Sequence, residues 1–571
     1  MLPDGAVHAG DDREDVVDVP VVGGYSVYSD TRMHSINAPR VMVGAIVAFD
    51  HSVDHQLDTG AEDFWFGDPD RPTVLSRFEL RVPPGWHWEV VAHRTEGSDV
   101  LPVVERKDRA NGVIMTVADM KPLPRERHRP VVRDIMPSVW VRWWDGKGER
   151  GYEDWNVVGR WYHDLADPVL EDLGAAEALG AKLRPAEKAG FLGSLVAAFD
   201  FVARSVRYVS IQIGIGGYKP YSPAFVCKNR FGDCKDKSFL MRSLVGAWGT
   251  KSYPVLVRTQ RLGALDPEVP TPGQFNHCIA AIVLPEGIGT ELWATAEIDG
   301  VGRVVFLDTT ASSSSPWDLP EMDQGTTALL VRPNGATLVT LPVQPADSAN
   351  VSRRLEATID AQATLLSGTL IETWSGQQAA RIRAYEELKQ TEQRQRDMVR
   401  ELQGRFPGAS VKQYQIDGLD EPLGPIRAQT SIEGGRFGRR VSNLLILQPG
   451  ELGYGLVGGL APPPRRWPLQ LGMPRSETLE AMIEIPEGWV PEELPDPREF
   501  ISEDLEARAE WSFAQGRLTY TRHASLLSAE ISPDRYESFR DLIGRLNGAD
   551  SEGVVFVPIG ANCWRFRHNH D

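Results

Sequence analysis

Arg230-Phe231-Gly232-Asp233-Cys234-Lys235-Asp236-Lys237 sets a cysteine directly after a Gly-Asp pair. Aspartate is a favoured helix N-cap, so the spacing predicts a helix that begins at Cys234. Apolar residues then recur at Phe239, Leu240, Leu244, Val245 and Trp248, one face of a helix, and Gly249 stops it. The sulfur therefore sits at a helix start, where the dipole and the free amides favour an anion. Lys235 and Lys237 add positive charge nearby and Asp236 opposes it.

Working outward, Phe191, Leu195, Phe199 and Val202 predict a second helix upstream, within Glu187 to Val206. Downstream, Tyr253 to Arg258, Phe275 to Leu284 and Val304 to Leu307 read as strands. Two helices followed by three strands is an α+β pattern. In the second strand His277 shares a face with Phe275 and Ile279, so it can point at the helix start while its neighbours pack. Asp308 ends the third strand; if the two strands pair, its carboxylate can fix the imidazole tautomer. Taken singly, Cys234 reads as a small core residue, His277 as a structural histidine and Asp308 as a turn residue. Their order, on those elements, points to a thiol nucleophile, its proton partner and an orienting acid. Gln212 and Tyr218 lie upstream of the nucleophile, where an oxyanion donor could come from; Gln212 is the more natural amide donor, the backbone N–H of Cys234 is safer, and a polar strand residue explains Gln212 as well.

Arg207-Tyr208-Val209, Gly214 to Tyr218, Gly232 to Lys237, Phe275-Asn276-His277 and Phe306-Leu307-Asp308 together resemble the transglutaminase-like superfamily core of bacterial multidomain proteins. That resemblance implies a papain-like α+β core flanked by β-sandwich-like domains, with Cys234, His277 and Asp308 as the catalytic triad. It implies acyl transfer or hydrolysis on amide bonds of protein or peptide substrates through a thioester. Water as acceptor gives a protease or amidase, an amine gives cross-linking, and both stay open. Residues 25 to 168 resemble the β-rich domain of unknown function that precedes such cores, and 468 to 489 the β domain that follows. Related proteins are exported, so the resemblance also implies a periplasmic or extracellular location and a cell-envelope substrate. Met1 to Val19 is acidic with no basic-then-apolar signal. The resemblance implies several strands before the part matched by Tyr25 to Val47, where only this short acidic leader stands, so the start reads as truncated or misassigned.

The expected domains are thus 1–168, β-rich; 169–325, the catalytic core; and 326–571, β-rich with one long polar helix from Gln377 to Phe406. A Pro-rich hinge at Pro462-Pro463-Pro464 is expected to divide the last of these, and Ser312 to Ser315 to form a loop leaving the core. Sixteen tryptophans and 41 prolines fit β-rich flanks with many turns. The net charge of −18 argues against nucleic acid or an anionic membrane surface as partner. No apolar run reaches the roughly 20 residues of a membrane span. No cofactor and no metal is expected. Zinc would need Cys227, Cys234, His277 and Cys278, yet His277 and Cys278 are adjacent on a strand and face opposite ways. The alternative from another class is a binding or assembly protein in which the β domains act and the core is structural.

Overall fold

The computed structural model describes residues 1–9, 15–20, 27–29, 32–50, 60–94, 104–145, 151–362, 364–453 and 455–560. It is a mixed α+β protein with several sheets. Cys563 and the tail from Trp564 to Asp571 lie outside the described residues.

Two three-stranded antiparallel sheets make the first β unit. One orders Gly60–Trp65, Ser138–Trp144 and His87–Arg94; the other Thr73–Arg81, Gly112–Met120 and Glu105–Arg109. Alternating apolar residues from both, including Val113, Met115, Val117, Val139 and Val141, share one core, as in a sandwich. Trp467, far along the chain, completes that core. Nearby Arg465 donates to the Arg127 carbonyl at 2.7 Å, which ties the first β unit to this later segment.

Helix α1 (Trp155–Ala166), capped by Asp154, packs on the central sheet rather than on the β unit before it. The central unit therefore starts earlier than 169. Its other principal helices are α2 (Phe191–Ser205) and α3 (Cys234–Gly246). Six antiparallel strands follow: β1 (Ser252–Val257), β2 (His277–Val283), β3 (Thr295–Ile298), β4 (Gly302–Leu307), β5 (Thr327–Arg332) and β6 (Gly335–Thr340), in the order β3-β4-β2-β1-β5-β6. α3 lies against this sheet, burying Leu240, Met241, Leu244 and Val245 with α2 and the apolar face of β2 and β4. The pairing expected between the histidine and aspartate strands is present, with Ala280 opposite Leu307. β5 and β6 belong to this sheet because β5 pairs with β1, so the unit extends past residue 325 to Thr340.

Beyond it, one eight-stranded sheet takes strands from both sides of the Pro462 region. Asn350–Asp360 pairs in parallel with Arg475–Glu484 down its middle, so the prolines turn the chain without dividing the sheet. The long polar helix is two helices, Gly376–Glu387 and Thr391–Arg405. Lys389 sits at the corner and pairs with Glu386 at 3.2 Å and Asp397 at 2.8 Å, which holds the break. A further helix, Tyr536–Asp550, packs its Phe539, Ile543 and Leu546 face on the large sheet.

Candidate active site

Asp233 caps α3 as the sequence suggests. Its carboxylate accepts from the Asp236 amide at 3.4 Å, and the Asp236 carboxylate accepts from the Asp233 amide at 2.9 Å, a reciprocal capping box. Gly232 is required by this arrangement: a Cβ there would stand 2.6 Å from the Asp236 Cβ. Asp236 also accepts from the Tyr221 amide at 2.8 Å. Burial, with Asp233 beside it, pushes the Asp236 carboxyl up to about 7.

The two lysines do not serve as free positive charges for the sulfur. Lys235 is buried and paired with Asp233. Lys237 turns to the other side of the helix and donates to the carbonyls of Ala203 and Val206, each at 3.0 Å. Its burial lowers it to about 8.

Cys234 is partly exposed, whereas Cys227 and Cys278 are buried. Burial pushes the Cys278 thiol up to about 12, and its sulfur sits 3.8 Å from the Tyr162 hydroxyl on the opposite face of β2. Phe231–Gly232 pairs in parallel with Arg207–Tyr208, which sets Tyr208 opposite Gly232 and against Cys234. Burial, then the nearby Cys234, Asp233 and Asp308, raise the Tyr208 phenol well above its ordinary value, so it keeps its proton and can donate. Gln212 is exposed at the end of Ser210–Gln212, a strand that pairs with Val27–Ser29. Tyr208, not singled out from sequence as a donor, is the upstream side chain that touches the sulfur.

His277 opens β2, with Asn276 pinned just before it by two 2.9 Å hydrogen bonds to Thr259. Its Nε2 stands 3.1 Å from Asp308 Oδ2, close enough for an ion pair, but the N–H is not aimed along a hydrogen-bond direction. Burial alone would lower the imidazole. The Asp308 charge, contact with Asp308 and contact with Cys234 outweigh that and hold it well above the ordinary histidine value. Burial likewise would raise Asp308, but His277 and two donors from Thr310, N–H at 2.9 Å and Oγ1 at 2.7 Å, hold it below the usual carboxylate range. The structure thus brings Cys234, His277 and Asp308 together.

Asp323 completes the cluster, and no local signal marks it beyond its place in the loop after β4. It is fully buried, and ligand atoms of His277, Asp308 and Asp323 lie within 4.8 Å of one another. Among the described residues, neither Asp323 oxygen has a hydrogen-bond donor in reach. Two carboxylates can meet only if a proton lies between them, and burial together with Asp308 lifts Asp323 to about 8. Gln324 fixes the loop by donating to Leu319 O at 2.8 Å and accepting from the Gln344 amide at 3.0 Å. Ser314 and Ser315 are buried, so the serine run is folded in beneath the Gly376–Glu387 helix rather than leaving the core. No cysteine takes part in the cluster that could hold a metal, which separates it from the zinc set considered from sequence.

Residues 2–122 match DUF3857, and residues 460–556 match DUF3858, each a domain of unknown function with a solved structure. Both matches fall on the flanks of the central unit. No curated protein matches the sequence. The fold is similar to the crystal structure of a "putative protease" from Parabacteroides distasonis ATCC 8503, at 13% identity and a TM-score of 0.54, over 97% of this chain and 87% of that one. At that identity the likeness is one of fold.

Proposed function

We propose that the chain is a transglutaminase-like thiol enzyme that cleaves or transfers amide bonds of peptides. The observation that carries this reading is the buried imidazole held between Cys234 and Asp308 at the start of a capped helix. The Cys234 sulfur, as thiolate, attacks the amide carbonyl carbon. The carbonyl π electrons move to oxygen, where the Tyr208 hydroxyl and the backbone N–H of Cys234 stabilise the charge. Collapse breaks the C–N bond, the imidazolium of His277 gives its proton to the departing amine, and a thioester remains. Water or an amine then attacks the thioester; its proton passes to His277 and the thiolate is restored. Asp308 acts on His277, fixing its orientation and favouring its charged form. Similarity in fold to the Parabacteroides protein fits the hydrolytic arm.

Comparing the full chain with its Cys234→Ala variant tests this. Peptide hydrolysis and incorporation of a labelled amine are followed together. Loss of both in a variant that melts normally supports the reading. Unchanged turnover excludes Cys234 as nucleophile, and no turnover in either protein leaves the flanking β domains as the working part.

A further inference from the structure

A cavity of about 620 Å³ opens beside the cluster, between the central unit and the unit that follows it. Tyr208 and Thr310 form part of its wall, the first touching Cys234 and the second holding Asp308. A ligand filling it therefore ends one side chain away from the sulfur.

Six cationic side chains line the cavity against two carboxylates, Glu387 and Asp420. Arg204 and Arg394 are engaged, with Asp200 and Glu386. The other four are differently placed. Lys237 and Arg383 are buried and give their hydrogen bonds to carbonyl oxygens, Arg383 to those of Ser313, Gly418, Glu421 and Gly424. Arg230 lies over the Phe201 ring at 4.2 Å, and Arg207 is exposed. Carbonyl oxygens solvate a buried cation without neutralising it, so the cost of its burial is only partly offset. This concentration of positive charge occurs in a chain of net charge −18. An excess of one sign inside a concave, partly dry wall focuses the field on ligands of the other sign.

We propose that this cavity binds a carboxylate of an acidic peptide and so selects acidic peptides as substrates. Selection of substrates rests on the catalytic reading of Cys234; binding does not. The cationic guanidinium groups of Arg207 and Arg230 at the accessible wall supply bidentate donors for that carboxylate.

Calorimetric titration of the full-length Cys234→Ala protein, which cannot turn the peptide over, provides the test. The probes are Ac-Ala-Glu-Ala-Glu-Ala-NH2 and its neutral glutamine counterpart. The acidic peptide should bind at least about tenfold more tightly, with the difference shrinking as salt is raised. Arg207→Gln, at an exposed position that leaves the fold intact, should weaken the acidic peptide about fivefold and the neutral one not at all. Arg230→Asn should act in the same sense, since asparagine tolerates the left-handed backbone there at φ +58°. Equal affinity for the two peptides, no response to either variant, or equally strong displacement by inorganic phosphate would overturn the proposal. Acidic binding in a protein whose wild-type Cys234 resists iodoacetamide keeps the cavity and removes the catalytic reading. A reactive Cys234 with no acidic preference does the opposite.

Discussion

Asp323→Asn isolates the buried acid beside His277 and Asp308. The amide is nearly the same shape, is neutral at every pH, and can donate to Asp308 as the protonated acid does. Asp323 stands at about 8 in the folded protein, against an ordinary 3.8 in the unfolded chain. A carboxyl raised on folding contributes stability that is fully present below its unfolded value and is lost as pH rises toward its folded value. Between pH 6 and pH 8 the unfolded Asp323 has no proton and the folded one still holds its own. Stability then falls by about 1.4 kcal/mol per pH unit, or about 2 kcal/mol over that window once partial ionisation near 8 is included. Asp323→Asn should lack this loss and become the more stable protein at the alkaline end. Thermal melts of both proteins from pH 6 to 9 measure it; because the Asp323 charge also acts on His277 and Asp308, the difference between the two profiles reports the coupled cluster. Parallel pH profiles would show that Asp323 is ionised in the native state and that no proton bridges the two carboxyls.

Three further outcomes follow from the geometry. Gly232→Ala drives a Cβ into Asp236 at 2.6 Å and should break the capping box, lowering the melting temperature by an amount equivalent to about 2 kcal/mol and abolishing turnover with it. Tyr208→Phe removes one oxyanion donor while keeping the ring, so kcat should fall about a hundredfold with KM little changed; an equal loss in ground-state binding would argue against that role. Because Asp308 holds the His277 imidazole well above 6.5, activity should fall only as pH rises through that higher value, and Asp308→Asn should move the alkaline limb of kcat/KM downward.

Much of this was readable from residue order because the signals are local. Gly-Asp before Cys234 encodes a cap, and the cap fixes where the sulfur lies. Apolar faces on α2, α3 and the strands encode the layers, and pairing of β2 with β4 brings His277 to Asp308. What was hidden depends on contacts between distant segments. Asp323 lies in an irregular loop held by Gln344 and the Gly376–Glu387 helix, so nothing adjacent to it in sequence marks it. Tyr208 belongs to the Arg207-Tyr208-Val209 motif, but its position against Cys234 comes from a two-residue strand pairing with no periodicity to detect. The extension of the sheet to Thr340 and the parallel pairing across the Pro462 region are likewise decided by tertiary partners, and the break at Lys389 by its ion pairs with Glu386 and Asp397, on either side of it.

The role of Cys234 as a nucleophile served by His277 is open to direct measurement. Low-dose iodoacetamide on the folded full chain, followed by peptide mapping, measures it. Cys234 is the partly exposed one of the three described cysteines, and burial holds the thiols of Cys227 and Cys278 protonated. Cys234 should be alkylated first, and His277→Ala should slow its labelling strongly, with Asp308→Ala slowing it less. Labelling of Cys278 or Cys563 ahead of Cys234, together with no effect of His277→Ala, would contradict it.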